Sequence, residues 1–449
     1  MGVDAKIKRF KLKNGIRVII VPLKTNLTHI STNFLLGERQ EKKVESGITH
    51  YCEHLLSTAT SKKYKDAKYI AGEIYRRGGY KNAYISNYEM SIYISGFYKD
   101  LEFYMDILSN AINDFHIEKY IEIKEKKAVV QEYRNILSNY KFDFNIFKFL
   151  YPKYSYFEDY NRQIKILKTF NNKKIKSYLK SHLNTDNQVI TITCPTNKIN
   201  ETIKNLKKYF GIIKNKKSKL AYPILKHDNT HLKIVNIKND RKDTNNFIAI
   251  HLSKSISYMS DEHLILQYIQ IMLFNFENGV FYSILRKKLG IIYNIRLSIN
   301  IDKYNAKMSY YRITSQCADT NVPMFIDAIL DILKNYELVE DDINNAKNHF
   351  RFTYENKKFY KLTTFNDEYK EQLLFSNDII GNDDIYKKLI SVKSQKIKEY
   401  YKNVFTKELL SRHIFFYYSN TNINKTIETI YKKLQKQLPG TVYKSYYIK

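Results

Sequence analysis

Hydrophobic positions at the start of the chain alternate, as in β-strands, and those that follow recur every three or four residues, as in helices. The Asn14-Gly15 pair stands between two β-rich runs, which predicts a hairpin turn. Strands are predicted at residues 10–13, 16–21, 32–36, 84–97 and 188–193. Helices are predicted at residues 48–56, at 68–77 before Gly78-Gly79, and as a pair within 100–137.

The second half of the chain follows a similar order of strands and long helices. Strands are predicted at residues 232–237, 247–252, 291–314 and 413–418, and helices at 261–276, at 279–289 and from Val322 onward. A chain of 449 residues is too long for one ordinary core. We therefore predict an α+β fold with two similar lobes, each a mostly antiparallel sheet packed with helices.

The domain boundary is placed where the sequence becomes rich in lysine. Residues 211–230 are interpreted as a linker between an N-terminal lobe at 1–210 and a C-terminal lobe at 231–449. The longest apolar runs fall short of the roughly 18 residues that a membrane span needs. The N-terminus has no apolar signal core, and three widely spaced cysteines favour a reducing compartment. A soluble, cytoplasmic protein without a membrane span is expected.

The charge balance is strongly basic, with 75 Lys+Arg against 45 Asp+Glu and a net charge of +30. The lysines are spread along the chain, and Tyr and Ile are also abundant, which is typical of coding bias in an AT-rich genome. Without a zinc-finger, RNA-recognition or Gly-rich phosphate motif, a basic nucleic-acid-binding protein is the weakest alternative. No specific nucleic-acid partner is expected. A bias toward acidic peptides is a further hypothesis from this charge.

His50 and His54 carry the candidate chemistry. Four residues apart on a helix, they lie on one face and reach one metal ion, and Glu53 beside them reaches a water molecule there. This is the H-x-x-E-H arrangement of inverted zincins. Zinc (one per chain) needs a third ligand and an open position, and it acidifies water for attack with Glu53 as general base. The alternative is an amphipathic helix with two histidines that lie at the surface or pack in the core.

The sequence around this motif resembles the pitrilysin/insulinase family of zinc metallopeptidases. It is most similar to the short two-lobe form of mitochondrial-processing-peptidase-like and bacterial or viral members. The matching stretches are residues 12–18, 37–41, 46–54 and 79–84 with Glu89. One departure is that Cys194-Pro195 and Ser419-Asn420 stand where the family commonly has a Gly-Asp-like turn.

The resemblance implies the remaining site residues. Glu132, after an apolar pair, matches the family's third zinc ligand, and Glu125 matches a glutamate seven residues earlier, on the same helical face. Glu125 would orient a ligand or a water. Arg286 and Tyr293 match residues of the second lobe that hold the substrate carbonyl and stabilise the oxyanion. A Lys/Arg-rich helix followed by an ordinary core tyrosine is the alternative.

The resemblance also implies how substrate binds. An extended peptide would add to a sheet edge formed by Asn82, Ala83, Tyr84, Ile85 and Ser86. Two lobes enclosing a chamber would favour short or unfolded polypeptides. A homodimer and a heterodimer with a related subunit both stay open, as does a non-catalytic scaffold subunit of the same fold. If the source is a large cytoplasmic virus, association with the virion is expected.

Overall fold

The described residues divide into two compact units that are not contiguous in sequence. The computed structural model describes residues 7–139, 141–215, 233–238, 246–275, 278–357, 369–370, 372–374, 380–419, 423–438 and 444–448. The first unit draws on Met1–Lys141, Lys153–Pro223 and Glu355–Gly381, and the second on Phe142–Pro152, Ile224–Tyr354 and Asn382–Lys449. Each half of the sequence therefore contributes a segment to the other unit. Residues 216–230 of the predicted linker lie outside the described residues.

A six-stranded sheet forms the centre of the first unit. Its strands are β1 Lys8–Lys11, β2 Arg17–Leu23, β3 Leu27–Phe34, β4 Tyr80–Ile85, β5 Met90–Phe97 and β6 Gln188–Pro195. They are ordered β1-β2-β6-β3-β5-β4, which leaves β4 at one edge. Only β2 and β6 pair in parallel among these strands. The sheet is thus mostly antiparallel, as predicted.

Helices cover one face of this sheet. The first eight helices of the chain are α1 Ile48–Ser57, α2 Ala67–Arg76, α3 Leu101–Asn113, α4 Lys119–Asn139, α5 Lys141–Leu150, α6 Tyr160–Leu167, α7 Asn172–His182 and α8 Ile199–Tyr209. Of these, α5 belongs to the second unit almost entirely. The two helices predicted within residues 100–137 are α3 and α4.

Strand β2 is apolar on both faces, and each face has its own partner. Val18 and Ile20 join the core between sheet and helices. Ile19 and Val21 point the other way and pack against Tyr369, Leu373 and Leu374, which come from the second half of the chain. These three residues belong to Glu355–Gly381, the exchanged segment that the second half of the chain contributes to the first unit. They cover part of the face of the sheet that the helices leave open.

The second unit repeats the plan with another six-stranded sheet. Its strands, in the order β12-β7-β11-β8-β10-β9, are β7 Lys233–Lys238, β8 Asn246–Ser253, β9 Ile295–Asn300, β10 Tyr310–Cys317, β11 Ile414–Ser419 and β12 Lys444–Ile448. The helices are α9 Asp261–Phe274, α10 Val280–Tyr282 continued by a π-helix Ser283–Lys288, α11 Val322–Asn335, α12 Glu340–Lys357, α13 Asn382–Ile390, α14 Ser394–Tyr400, α15 Lys407–Arg412 and α16 Ile423–Gln437.

Helix α5 covers the second sheet as Tyr369, Leu373 and Leu374 cover the first. The rings of Phe149 on α5 and Phe416 on β11 are 5.7 Å apart, and Phe142 lies 5.6 Å from both Phe247 and Tyr418. Arg312 on β10 is 3.0 Å from the carboxylate of Asp143. Aromatic packing and an ion pair thus fix α5 to the second sheet.

The α+β prediction with two lobes is confirmed, and two strand predictions need correction. The strand predicted at 84–97 is a hairpin, because residues 86–89 form a turn between β4 and β5. The strand predicted at 291–314 is likewise two strands, β9 and β10, paired antiparallel. None of the helices in the described ranges is both long and apolar enough to cross a membrane.

Candidate metal centre

Helix α1 is held at its N-terminus by a buried carboxylate. Glu41 accepts hydrogen bonds from the backbone N–H groups of Gly47 (2.7 Å) and Thr49 (2.8 Å). These donors have no partner within the helix. Gly47 has a φ of 85°, a left-handed conformation that glycine adopts without strain. The sequence before α1 therefore fixes where the helix begins.

The histidines lie together near the surface of α1. Ile48, Cys52 and Leu55 are buried in the core, whereas the side chains of His50 and His54 are 14% and 17% exposed. Their ring centroids are 5.0 Å apart. The spacing of four residues thus presents both imidazoles to one point, as the sequence predicts.

Helix α4 brings Glu132 to the same point. Its Oε2 atom lies 3.3 Å from His50 Nε2 and 3.4 Å from His54 Nε2. These separations match the spacing of about 3.4 Å between ligand atoms that tetrahedral zinc requires with bonds of about 2.0–2.1 Å. The hydrogen bond with His50 lowers the pKa of Glu132, so this carboxylate is ionised and able to bind a cation.

Glu53 lies beside this group and is more deeply buried. Its side chain is 10% exposed, and its Oε2 is 3.7 Å from His54 Nε2. One ligand atom from each of His50, Glu53 and His54 lies within 4.8 Å of the others. Burial raises the pKa of Glu53, and the two histidines oppose that shift. A carboxylate with a raised pKa is a stronger base and is better suited to accept a proton.

The other imidazole nitrogen of His54, Nδ1, contacts a second glutamate of α4. Nδ1 of His54 lies 3.2 Å from Glu125 Oε2, whose side chain is 10% exposed. A proton on Nδ1 leaves Nε2 with its lone pair free for a metal ion. The ring of Tyr133 packs 5.2 Å from that of His50. Both imidazoles are thus oriented by residues of α4.

The edge strand predicted to bind substrate lies close to α1. Residues 82–85 belong to β4, whereas Ser86 lies in the following turn, where its N–H donates to Glu89 O. The edge also begins earlier than predicted, at Tyr80. The Tyr84 hydroxyl donates to the carboxylate of Glu89, and the Lys370 ammonium is 2.7 Å from that carboxylate. Lys370 had no local signal in the sequence, because it comes from the exchanged segment.

Arg286 and Tyr293 lie together in the second unit. The Arg286 guanidinium is 5.6 Å from the Tyr293 ring centroid, and its Nη1 donates to Ile292 O at 3.1 Å. Tyr293 is 65% exposed and therefore is not the core tyrosine of the alternative interpretation. Arg286 stands in the π-helix Ser283–Lys288, a form of helix often found at functional sites.

Two family models match the chain, one toward its N-terminus and one in its middle and C-terminal part. Residues 24–154 match the model described as Insulinase (Peptidase family M16). Residues 169–350 match the model described as Peptidase M16 inactive domain. The first match contains α1 and α4 with all five residues of the candidate centre.

Sequence relatives and a solved structure are similar to the chain as well, and they agree with the two family-model matches. The mitochondrial-processing peptidase subunit beta of Caenorhabditis elegans is 24% identical over 45% of this chain and 44% of its own length. The zinc protease PqqE of Helicobacter pylori is 26% identical over 45% of this chain and 46% of its own length. The chain thus aligns with about half the length of these relatives. A solved protease from Helicobacter pylori has a TM-score of 0.78 at 18% identity, covering 92% of this chain and 100% of its own, which shows the same fold.

Proposed function

Because the chain belongs to the insulinase family of peptidases (family M16), we propose that it is a zinc-dependent endopeptidase acting on extended or unfolded polypeptides. The observation that carries this proposal is the position of Glu132. One carboxylate oxygen lies 3.3 and 3.4 Å from the Nε2 atoms of two histidines that a single helix turn separates. Relatives named zinc proteases support zinc as the metal.

The donor set fits zinc better than a harder cation. Two imidazole nitrogens and one carboxylate oxygen are a common ligand set of catalytic zinc sites, which keep a fourth position open. Calcium and magnesium prefer oxygen ligands instead. His50, His54 and Glu132 would hold the ion. A zinc ion bound there supplies Lewis-acid polarisation of a peptide carbonyl and lowers the pKa of water.

Glu53 is assigned the proton transfers. Its carboxylate faces the two histidines from within the same helix, and its raised pKa lets it accept a proton from the attacking water and deliver that proton to the leaving amine. Glu125 acts through His54, since its contact with Nδ1 keeps Nε2 directed at the metal position.

Strand β4 is assigned the substrate backbone. It stands at the end of the strand order and pairs only with β5 among the described strands, so its outer N–H and C=O groups are available to a peptide. Addition of a strand binds the peptide through its main chain and selects for extended segments. Arg286 and Tyr293 offer an exposed guanidinium and phenol, and we assign them to the substrate carbonyl and the oxyanion.

A non-catalytic scaffold subunit is the other candidate. The match of residues 169–350 to an inactive domain concerns the half of the chain without the H-x-x-E-H motif. The half with the motif retains the three proposed zinc ligands, the proposed general base Glu53, and Glu125. This supports an active enzyme. One relative is the beta subunit of a processing peptidase. We therefore propose that the chain forms a heterodimer with a related subunit or a homodimer, and activity should be tested in both forms.

The decisive experiment uses internally quenched, unstructured peptides. We expect zinc-loaded wild type to cleave them, a chelator to stop cleavage, and Glu53→Gln to lose activity by at least about 10³-fold while binding zinc normally. A Glu53→Gln protein as active as wild type contradicts the assignment. Zinc-loaded wild type that cleaves nothing, alone or with a partner subunit, favours the scaffold role.

A further inference from the structure

A pocket of 390 Å³ opens beside the edge strand β4, apart from the metal-ligand cluster. The last turn of α1, one face of α2 and the first residues of β4 form its walls. The lining residues used here are Ser57, Thr58, Ala59, Ile70, Ile74 and Lys81. Ser57 follows His54 by three residues, so the pocket begins about one helical turn from a proposed metal ligand.

The side chain of Lys81 points to the helix side of the sheet. Side chains of a strand alternate between its two faces, and Ala83, two residues further, is buried in the core between sheet and helices. Lys81 therefore extends into the space between α1 and α2, where Ile70 and Ile74 are buried. The residue is partly buried and lines the pocket together with these apolar side chains.

The ammonium group of Lys81 has no acidic partner within 4 Å among the residues that the structure describes. Burial alone lowers the pKa of Lys81 to about 8, with no carboxylate to oppose the shift. Other shielded lysines are paired: Lys254 lies 2.6 Å from Glu262 and 2.8 Å from Glu408, and Lys370 lies 2.7 Å from Glu89. An unpaired, partly desolvated cation is costly, and an anionic ligand would remove that cost.

We propose that Lys81 and this pocket form a subsite for an acidic side chain, preferably glutamate, of the peptide bound on β4. The proposal deepens the proposed function and depends on it for the direction of the peptide. A glutamate side chain suits the site because its methylene groups would contact the apolar wall while its carboxylate pairs with the ammonium.

The position of the pocket fixes which side chains can reach it. A peptide paired with β4 directs every second side chain toward the helices. Because the pocket starts about one turn past His54, the selected side chain lies within about three residues of the scissile bond. The preference is therefore local, and the net charge of +30 over the whole chain does not produce it.

The test compares quenched peptides that differ only by Glu, Gln or Lys at one position, scanned from three residues before to three residues after the scissile bond. Wild type should cleave the Glu peptide at least about 10-fold more efficiently, in kcat/KM, at one position. Lys81→Met should remove that ratio, and Lys81→Glu should reverse it in favour of Lys at the same position. Lys68→Met is the control, because Lys68 on α2 is exposed and does not line the pocket.

Failure of this subsite is distinguishable from failure of the proposed function. Active wild type with equal rates on Glu and Gln peptides at every position overturns the subsite and leaves the peptidase standing. Binding is measured separately, by fluorescence anisotropy of labelled Glu and Gln peptides on Glu53→Gln protein with and without Lys81→Met. If Lys81→Met does not weaken the Glu peptide there, the subsite is wrong whether or not wild type cleaves. Circular dichroism verifies that each variant folds.

Discussion

The ammonium group of Lys370 lies 2.7 Å from Glu89 Oε1, and both side chains are nearly inaccessible, at 3% and 5% exposure. Lys370 comes from the exchanged segment, whereas Glu89 closes the turn after β4. The ammonium also lies 4.5 Å from the ring centroid of Tyr84 on β4. A residue from late in the sequence thus secures the strand to which we assign substrate binding.

Lys370→Met should destabilise the first unit, because it leaves the buried carboxylate of Glu89 without its cation. We expect a loss of about 3–5 kcal/mol in the free energy of unfolding, measured by urea denaturation. Lys198→Met is the matched control, since Lys198 pairs with Glu201 at 2.7 Å where both side chains are about half exposed. That change should cost less than about 1 kcal/mol. Equal losses for the two variants would contradict the buried pair's importance.

Glu41→Ala should weaken zinc binding although Glu41 touches no proposed ligand. The change removes the acceptor of two N–H groups at the start of α1 and so loosens the helix that carries His50 and His54. We expect zinc affinity to fall about 10-fold or more, measured by competition with a chromophoric chelator. Glu45→Ala, which changes the charge equally nearby, should leave the affinity unchanged. An unchanged affinity in Glu41→Ala would show that α1 does not need this cap.

Substitutions along α4 should rank by their distance from the metal position. Glu132→Ala removes a proposed ligand and should lower zinc affinity most, whereas Glu125→Ala removes only the partner of His54 Nδ1 and should cost about 10–100-fold. Glu122→Gln, on the same helix, is the control. Zinc content after dialysis and chelator competition give the order. A Glu125→Ala protein with wild-type affinity would remove Glu125 from the site.

Stability should fall as pH rises from about 6.5 to 8, because two carboxyls, the buried Glu41 and the partly buried Glu38, hold protons in the folded state. Burial, reinforced by Glu41 and Glu158, raises the pKa of Glu38 to about 8, and burial raises that of Glu41 to about 7. Unfolded carboxyls release these protons at a pH of about 4.3. These two groups therefore bind more protons in the folded state between about pH 4 and 8, and their contribution to the free energy of unfolding decreases across that window. Burial lowers the pKa of His29, His263 and His413 to about 4, so these histidines oppose the decrease below about pH 6.5, and the net fall is expected above that pH.

Glu38→Gln tests this dependence, since it removes one of the two titrating groups. Urea denaturation in the presence of chelator should show a variant about 1 kcal/mol or more stable than wild type at pH 8, with no gain near pH 4. Glu201→Gln on the surface of α8 should shift stability little at either pH. A parallel pH dependence in wild type and Glu38→Gln would contradict a raised pKa at Glu38.

The parts of the site that the sequence predicts are those with a local signal. His50 and His54 share a helical face whatever surrounds them. Glu132 has no such signal of its own in a charged helix, and only the resemblance of residues 125–132 to the family indicated it. The hairpin of β4 and β5 had no such signal, because its turn at 86–89 contains no glycine or proline. Distant residues shape that turn: the N–H of Arg39 donates to Asn87 O, and a side chain at Gly37 would collide with the backbone of Asn87.

Lys81 and Lys370 were equally hard to recognise among the many lysines of the chain. What distinguishes them is burial and pairing, and both depend on contacts between elements far apart in sequence. The same holds for the exchanged segments, since the apolar side chains of Tyr369, Leu373, Leu374 and α5 indicate burial without indicating which sheet they cover.

The exchange of segments sets an order of events during synthesis. The first sheet lacks the cover of Tyr369, Leu373 and Leu374, and the buried anion of Glu89 lacks its cation, until the ribosome has made the chain beyond residue 374. During most of translation, the sheet of the first unit therefore has one apolar face without its covering residues. A nascent chain of this kind depends on chaperones or on rapid completion, and the two halves expressed as separate polypeptides, divided at the predicted linker, would each carry a segment that belongs to the other.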